Sequence, residues 1–143
     1  MAPAGLCFLD TNILLYALDP RDPRKQGLAT ELIRSTSAAE RVVVSTQVLI
    51  ELFHNLQRKL GLDRERAARA CFAFAEWPVV ASDLPLAMKA MARAAQSQLS
   101  IWDAMIVEAA LRGGAATLVS EDLTHGQRFG ALVVCNPFEV PAA

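Results

Sequence analysis

Leu6-Cys7-Phe8-Leu9-Asp10-Thr11-Asn12 is the stretch on which the fold turns. Its apolar run has the length and composition of a buried strand, and it passes straight into an aspartate ahead of a second apolar stretch, Ile13 to Leu18. A strand that ends on Asp carries a carboxylate at its C-terminal tip, which is where open α/β sheets bind their ligands.

Outward from this stretch, helical and strand-like segments alternate, the pattern of a parallel sheet covered on both faces by helices. Further strands are expected at Arg41 to Ser45, Pro78 to Ala81, Thr117 to Ser120 and Ala131 to Cys135, each preceded by a helix. Asp22-Pro23 reads as an N-cap followed by the favoured first-turn proline, opening a helix to about Ser35. Thr46 to Leu60 carries an apolar stripe of Val48, Leu49, Leu52, Phe53, Leu56 and Leu60, with Glu51 on a flank shared with Gln47 and Asn55, and Gly61 ends it. Asp63 caps a helix reaching Glu76, Ser82-Asp83 opens one over Leu84 to Gln98, and Ser100-Ile101-Trp102-Asp103 starts the last, which stops at Gly113-Gly114. The expected architecture is a three-layer α/β/α domain with a central, mostly parallel sheet of four to five strands, and the whole of 1–143 is read as one domain.

Composition narrows the function classes. A chain of 143 residues, 53% hydrophobic and 20% charged, buries a sizeable core and needs neither metal nor disulfide to fold. Its apolar runs fall short of a membrane span and the start Met1-Ala2-Pro3-Ala4-Gly5 lacks a basic signal region, so a cytoplasmic protein without membrane attachment is expected. Cys7, Cys71 and Cys135 sit in apolar segments without a C-x-x-C spacing and are read as reduced and buried. Only His54 and His125 are available as imidazole ligands, too few for a usual structural zinc site. With a net charge of −1, any nucleic acid must be held locally rather than by the field of the whole chain.

Four acids stand where apolar segments end or turn: Asp10, Glu51, Asp103 and Asp122. Each has an ordinary reading. Asp10 suits an Asx turn or N-cap, Glu51 a solvated helix flank, Asp103 a capping box with Ser100, and Asp122 a cap for the segment after Leu123. Jointly they point elsewhere, because a parallel sheet would deliver three of them to one edge and Glu51 lies about a turn and a half into a helix leaving that edge. Two carboxylates at about 4 Å repel by several kcal/mol even at an effective dielectric near 20, so a cation must offset the cluster. Hard oxygen donors without histidine or thiolate select Mg²⁺ or Mn²⁺. Such a site suits phosphodiester hydrolysis, with the ion activating a water and neutralising the leaving oxygen.

Asp10-Thr11-Asn12 after a strand, Glu51 within Val48-Leu49-Ile50-Glu51-Leu52, Trp102-Asp103-Ala104 opening a helix and Leu118-Val119-Ser120-Glu121-Asp122 together resemble, in order, the signatures of PIN-domain nucleases. The short chain looks most like the VapC-type toxins of bacterial type II toxin-antitoxin pairs. That resemblance implies a metal-dependent endoribonuclease acting on structured RNA of the tRNA or rRNA class, dimeric, and silenced by a cognate antitoxin. It also implies that Asp10, Glu51, Asp103 and Asp122 are the catalytic and metal-site acids, and that Thr11, Asn12 and Ser120 are their polar support. Asp122 rather than Glu121 is taken as the fourth acid. Gly126 and Phe129 are similar to the same subgroup.

Basic residues near the acids in sequence, Arg112 and Arg128, are candidate phosphate contacts, and His125 is read as a loop residue or RNA contact. The cluster Arg58, Lys59, Arg64, Arg66 and Arg69 reads mainly as a solvated face, with attraction of an RNA backbone or an acidic antitoxin segment as the minority reading. An apolar helix around Leu84, Met88 and Met91 reads mainly as core, with a dimer or antitoxin groove as the minority reading. Four alternatives compete with the toxin reading, of which a non-catalytic antitoxin-like or scaffold protein would leave four costly acids without a purpose. A PIN nuclease of RNA maturation or DNA processing shares all the motifs. A phospho-acceptor signalling domain needs a late lysine, and the last here is Lys89; a haloacid-dehalogenase-type phosphatase needs D-x-D where this chain has Asp10-Thr11-Asn12.

Overall fold

A computed structural model describes residues 3–139. The outermost positions of the expected 1–143 domain, 1–2 and 140–143, lie outside the described residues. β1 (Cys7–Leu9) is sealed from solvent along its length, as a strand covered on both faces must be. After it come α1 (Thr11–Ala17), α2 (Pro23–Ala38), β2 (Val42–Ser45), α3 (Thr46–Arg58) and α4 (Arg64–Phe74). The chain continues through β3 (Val79–Val80), α5 (Leu84–Ala95), α6 (Ile101–Arg112), β4 (Thr117–Val119), β5 (Arg128–Phe129) and β6 (Leu132–Cys135).

The strands form one sheet in the order β3-β2-β1-β4-β6-β5. All neighbours are parallel except β5 and β6. From β1 the chain steps outward to β2 and β3, then returns past β1 to β4. Right-handed crossovers therefore set α1 to α4 on one face and α5 with α6 on the other. The contacts agree: α1 packs on α2 and α3, α3 on α4, and α5 on α6. The register pairs Phe8 with Val43 and Leu118, and Leu9 with Val119, so the tips of β1, β2 and β4 emerge together.

Two expectations need correction. The sheet has six strands rather than four to five, because Arg128–Phe129 is a strand too short to show any alternation in sequence. Nor is the last strand preceded by a helix. β6 is reached through a hairpin from β5, turning at Gly130-Ala131 with Gly130 at φ +63, the position where a two-residue turn demands glycine.

The helix ends follow the capping chemistry of the sequence. Asp22, Ser45, Asp63, Asp83 and Ser100 each accept a bond from the backbone N–H three residues on. Val48, Leu52 and Leu56 form the sealed stripe of α3, and Gly61, at φ +70, closes the chain behind it by donating to the Gln57 carbonyl. Cys7, Cys71 and Cys135 are free thiols, the last only half-buried, and burial raises all three above the usual thiol range. Among the described residues no helix is long and apolar enough to cross a membrane.

Candidate active site

Chain progression reverses between β1 and β4, and the tips of those two strands carry Asp10 and Ser120-Glu121-Asp122. Reversal of this kind opens a crevice at the carboxyl ends of a parallel sheet. Asp10 leaves β1 in extended conformation and becomes the N-cap of α1. Its Oδ1 accepts from the Thr11 backbone N–H at 2.8 Å and its Oδ2 from the Ser120 hydroxyl at 2.7 Å. The capping reading and the chemical reading thus describe one residue. Only 5% exposed, Asp10 is pushed up to about 7 by burial and, less strongly, by the charges of Asp122 and Glu51, against the pull of the Ser120 and Thr11 bonds.

Ser120, fully buried, ties the two strand tips together. While donating to Asp10 it accepts from the Asp122 backbone N–H at 3.1 Å and faces the Asn12 amide at 3.5 Å. Asn12 in turn donates to Asp122 Oδ2 at 3.0 Å and accepts from the Glu121 backbone N–H at 3.3 Å. Asp122 is held by its neighbours while its side chain meets the solvent.

Glu51 arrives on α3, which springs directly from β2, and its Oε1 accepts from the Thr11 hydroxyl at 3.4 Å. Burial raises its pKa, with Asp103 and Asp122 adding to the shift and bonds from Gln47 and Thr11 opposing it. Asp103 sits in the first turn of α6, where the Ser100 cap holds its N–H at 3.1 Å. Its pKa is also raised, by burial and then by Asp122, with the Ser100 bond pulling the other way. Gln47 reaches from α3 to the Trp102 carbonyl at 3.2 Å and so fixes α6 beside α3.

Asp10, Glu51, Asp103 and Asp122 all line one open cleft of about 330 Å³, together with Thr11 and Asn12. Among the described residues no three of its His, Cys, Asp or Glu side chains converge into a ready-made metal cage. The donor set still fits a hard divalent cation. It is oxygen throughout, neighbouring acids add to the raised pKa of Asp10, Glu51 and Asp103, and Gln47 adds a buried Oε1 with no partner among the described residues. Mg²⁺ itself prefers one or two carboxylates with retained waters to an all-protein cage.

Other candidates are placed elsewhere. Glu121 borders the cleft but is engaged, accepting from the Tyr16 hydroxyl at 2.6 Å and from Lys25 Nζ at 2.8 Å. Arg112 is not brought to the cleft: it lies on the last turn of α6, bound to Asp83 at 2.9 Å and to the Ala81 carbonyl at 3.2 Å. Arg128 is exposed on the edge strand β5, and His125 uses Nδ1 to accept the Asn136 backbone N–H at 3.0 Å. Neither borders the cleft. Three polar cleft residues escaped the sequence reading, Tyr16, Asp19 and Arg21, while Lys59 was read in a basic cluster rather than beside the acids. Lys59 alone had a usable signal, since it repeats the i+4 step that runs through Glu51 and Asn55.

The sequence model of the PIN domain matches residues 7–127. Among solved structures, the chain is similar to VapC20 of Mycobacterium tuberculosis, a sarcin-ricin-loop-cleaving toxin, at 23% identity over 78% of this chain and 86% of that one, with a TM-score of 0.64. A toxin-antitoxin complex from Klebsiella pneumoniae gives 17% identity, 94% and 99% coverage and a TM-score of 0.67. VapBC2 from Rickettsia felis, bound to a DNA fragment from its promoter, gives 20%, 90% and 96%, and 0.61. At these identities the likeness speaks for the fold. Among curated proteins, none matches.

Proposed function

Because the chain belongs to the PIN-domain family, we propose that it is a Mg²⁺- or Mn²⁺-dependent endoribonuclease and the toxin of a type II toxin-antitoxin pair. The observation that carries the reading is that four carboxylates, from four separate segments, line one cleft at the reversal point of the sheet. Asp10, Glu51, Asp103 and Asp122 would hold the ion, which supplies an activated water and charge neutralisation at the leaving oxygen when bound.

The protein's own part is placement. Ser120 and Thr11 lock both oxygens of Asp10, so that this carboxylate cannot rotate away. Asn12 clamps Asp122 to α1, and Thr11 links Glu51 to the same helix. Fixing the acids in advance removes reorganisation that would otherwise be needed during the reaction.

The RNA is of the tRNA or rRNA class and the partner a cognate antitoxin, supported by structural neighbours that are themselves toxins and toxin-antitoxin complexes. A homodimer in the cytoplasm is the expected state. Leu84, Met88 and Met91 support it, since they stand 70%, 59% and 58% exposed along one face of α5 rather than in the core.

The test is purified protein on total RNA with Mg²⁺ or Mn²⁺, beside the same reaction in EDTA. Discrete fragments that disappear in EDTA are expected and name the target. Intact RNA alongside cleaved single-stranded DNA would move the activity to DNA processing.

A further inference from the structure

The carboxylates without a cationic partner among the described residues, Asp10, Glu51, Asp103 and Asp122, fill only one end of the cleft. Gln47, Glu51 and Asn55 of α3 and its C-cap Lys59 all line the cleft and are four apart, so a single helical face leads from the carboxylates to a lysine. Lys59 stands about 12 Å beyond Glu51 along the axis. It is exposed and makes no ion pair among the described residues.

α1 leaves the same edge beside α3, because β1 and β2 are adjacent parallel strands. Just past its end comes Asp19-Pro20-Arg21. Asp19 is 6% exposed, and its carboxylate takes Arg21 Nε on Oδ1 and Arg21 Nη2 on Oδ2, both at 2.9 Å, as well as the Arg21 backbone N–H at 3.0 Å. This paired fork uses one edge of the guanidinium. It leaves Nη1 without a partner among the described residues, on a side chain 62% exposed at the cleft wall. A carboxylate thus lies at the start of α1 and another about a turn and a half into α3, with cations beyond the ends of both helices.

We infer that Arg21 and Lys59 form a phosphate subsite that grips the RNA backbone away from the linkage being cut, with Asp19 as the positioning residue for Arg21. The inference rests on the ribonuclease reading. A polyanion entering a cleft of carboxylates is repelled wherever a metal does not neutralise them, so fixed cations further along the groove supply the missing attraction. Arg21 is suited to the task because its planar fork is already oriented by Asp19 and keeps donors to spare.

The experiment measures binding of labelled oligouridine to the Asp10→Asn protein in Mg²⁺, where the strand stays intact, across a range of salt. Arg21→Ala with Lys59→Ala is added to that protein, and Arg112→Ala with Arg128→Ala serves as the control pair. Loss of two single-strand phosphate contacts lowers the slope of log affinity against log salt by about 1.4, and the control pair leaves it unchanged. On the active protein, the Arg21 and Lys59 changes raise KM about tenfold with kcat held within about twofold. Asp19→Asn likewise raises KM alone, and adds nothing once Arg21 is already alanine; an additive effect would make Asp19 merely structural.

An unchanged slope and KM in the Arg21 and Lys59 variant, with RNA still bound and cut, overturns the subsite and leaves the ribonuclease intact. The same result with weakened binding of polyglutamate assigns the cations to an acidic protein partner instead. If the Asp10→Asn protein binds no oligouridine and the active protein cuts no RNA, the ribonuclease reading fails and the subsite falls with it.

Discussion

Asp10 ties the stability of the protein to pH. Its ordinary pKa is 3.8 and burial lifts it to about 7, so between those values the folded protein holds the proton more tightly than the unfolded chain does. Stability of the metal-free protein therefore falls as pH rises from about 4 to about 7, by a loss on the order of 4 kcal/mol from Asp10 alone. Glu51 and Asp103 shift in the same direction. Melting in EDTA at about pH 5 and about pH 8 checks this: wild type should melt lower at the higher pH, and Asp10→Asn, which cannot ionise, should lose much of that dependence and be the more stable of the two at about pH 8. Asp122 and its neighbour Glu121 provide a second contrast at this scale. Asp122→Asn should stop RNA cleavage, whereas Glu121→Gln should keep it and cost about 1 kcal/mol of stability through the weakened Lys25 contact. The acids were legible in the sequence because each stands at an end or turn of an apolar segment, in an order that resembles a known set of motifs. The engagement of Glu121 by Lys25 and Tyr16 was not, since it joins residues about a hundred positions apart and leaves no periodic trace.

At the scale of elements, α3 carries most of the leverage on the site. Ser45 is fully buried, ends β2 and caps α3 by accepting from the Val48 N–H at 3.3 Å. Ser45→Ala should cost about 1 to 2 kcal/mol and, by loosening the start of the helix that presents Glu51, lower cleavage more than stability alone explains. Denaturant unfolding beside kcat/KM checks both effects. Leu56→Ala, about a turn and a half beyond Glu51 on the sealed stripe, should cost about 2 to 5 kcal/mol with the activity of the folded fraction retained. Helix positions were readable because caps and stripes are local chemistry, as at Asp22, Asp63, Asp83, Ser100 and Gly61. β5 was unreadable for the opposite reason: two residues carry no alternation, and only the pairing of Arg128 with Val133 and Phe129 with Leu132 makes them a strand. Arg112 was drawn toward the site by its place in the sequence, yet α6 carries it about 13 Å along the axis from Asp103, to Asp83.

For the whole molecule, strand order turns scattered residues into a site. Alternating helices and strands announced the layered fold, but only the order β3-β2-β1-β4-β6-β5 puts the tips of β1 and β4 side by side, and with them Asp10 and Asp122. The same order brings α1 and α3 together and sets Arg21 and Lys59 on the walls of the acid cleft, a proximity that no spacing in the sequence encodes. Exposed Leu84, Met88 and Met91 belong to this scale as well: on the dimer proposed above, the wild type should scatter light as a dimer and Leu84→Glu with Met88→Glu as a folded monomer. The central claim is that four separated carboxylates act as one divalent-cation site. Calorimetric titration of Mn²⁺ into wild type and into Asp10→Asn, Glu51→Gln, Asp103→Asn and Asp122→Asn tests it most directly. Measurable binding to wild type is predicted, weakened about tenfold or more in every variant; Mn²⁺ bound equally well by Asp10→Asn and Glu51→Gln would contradict it.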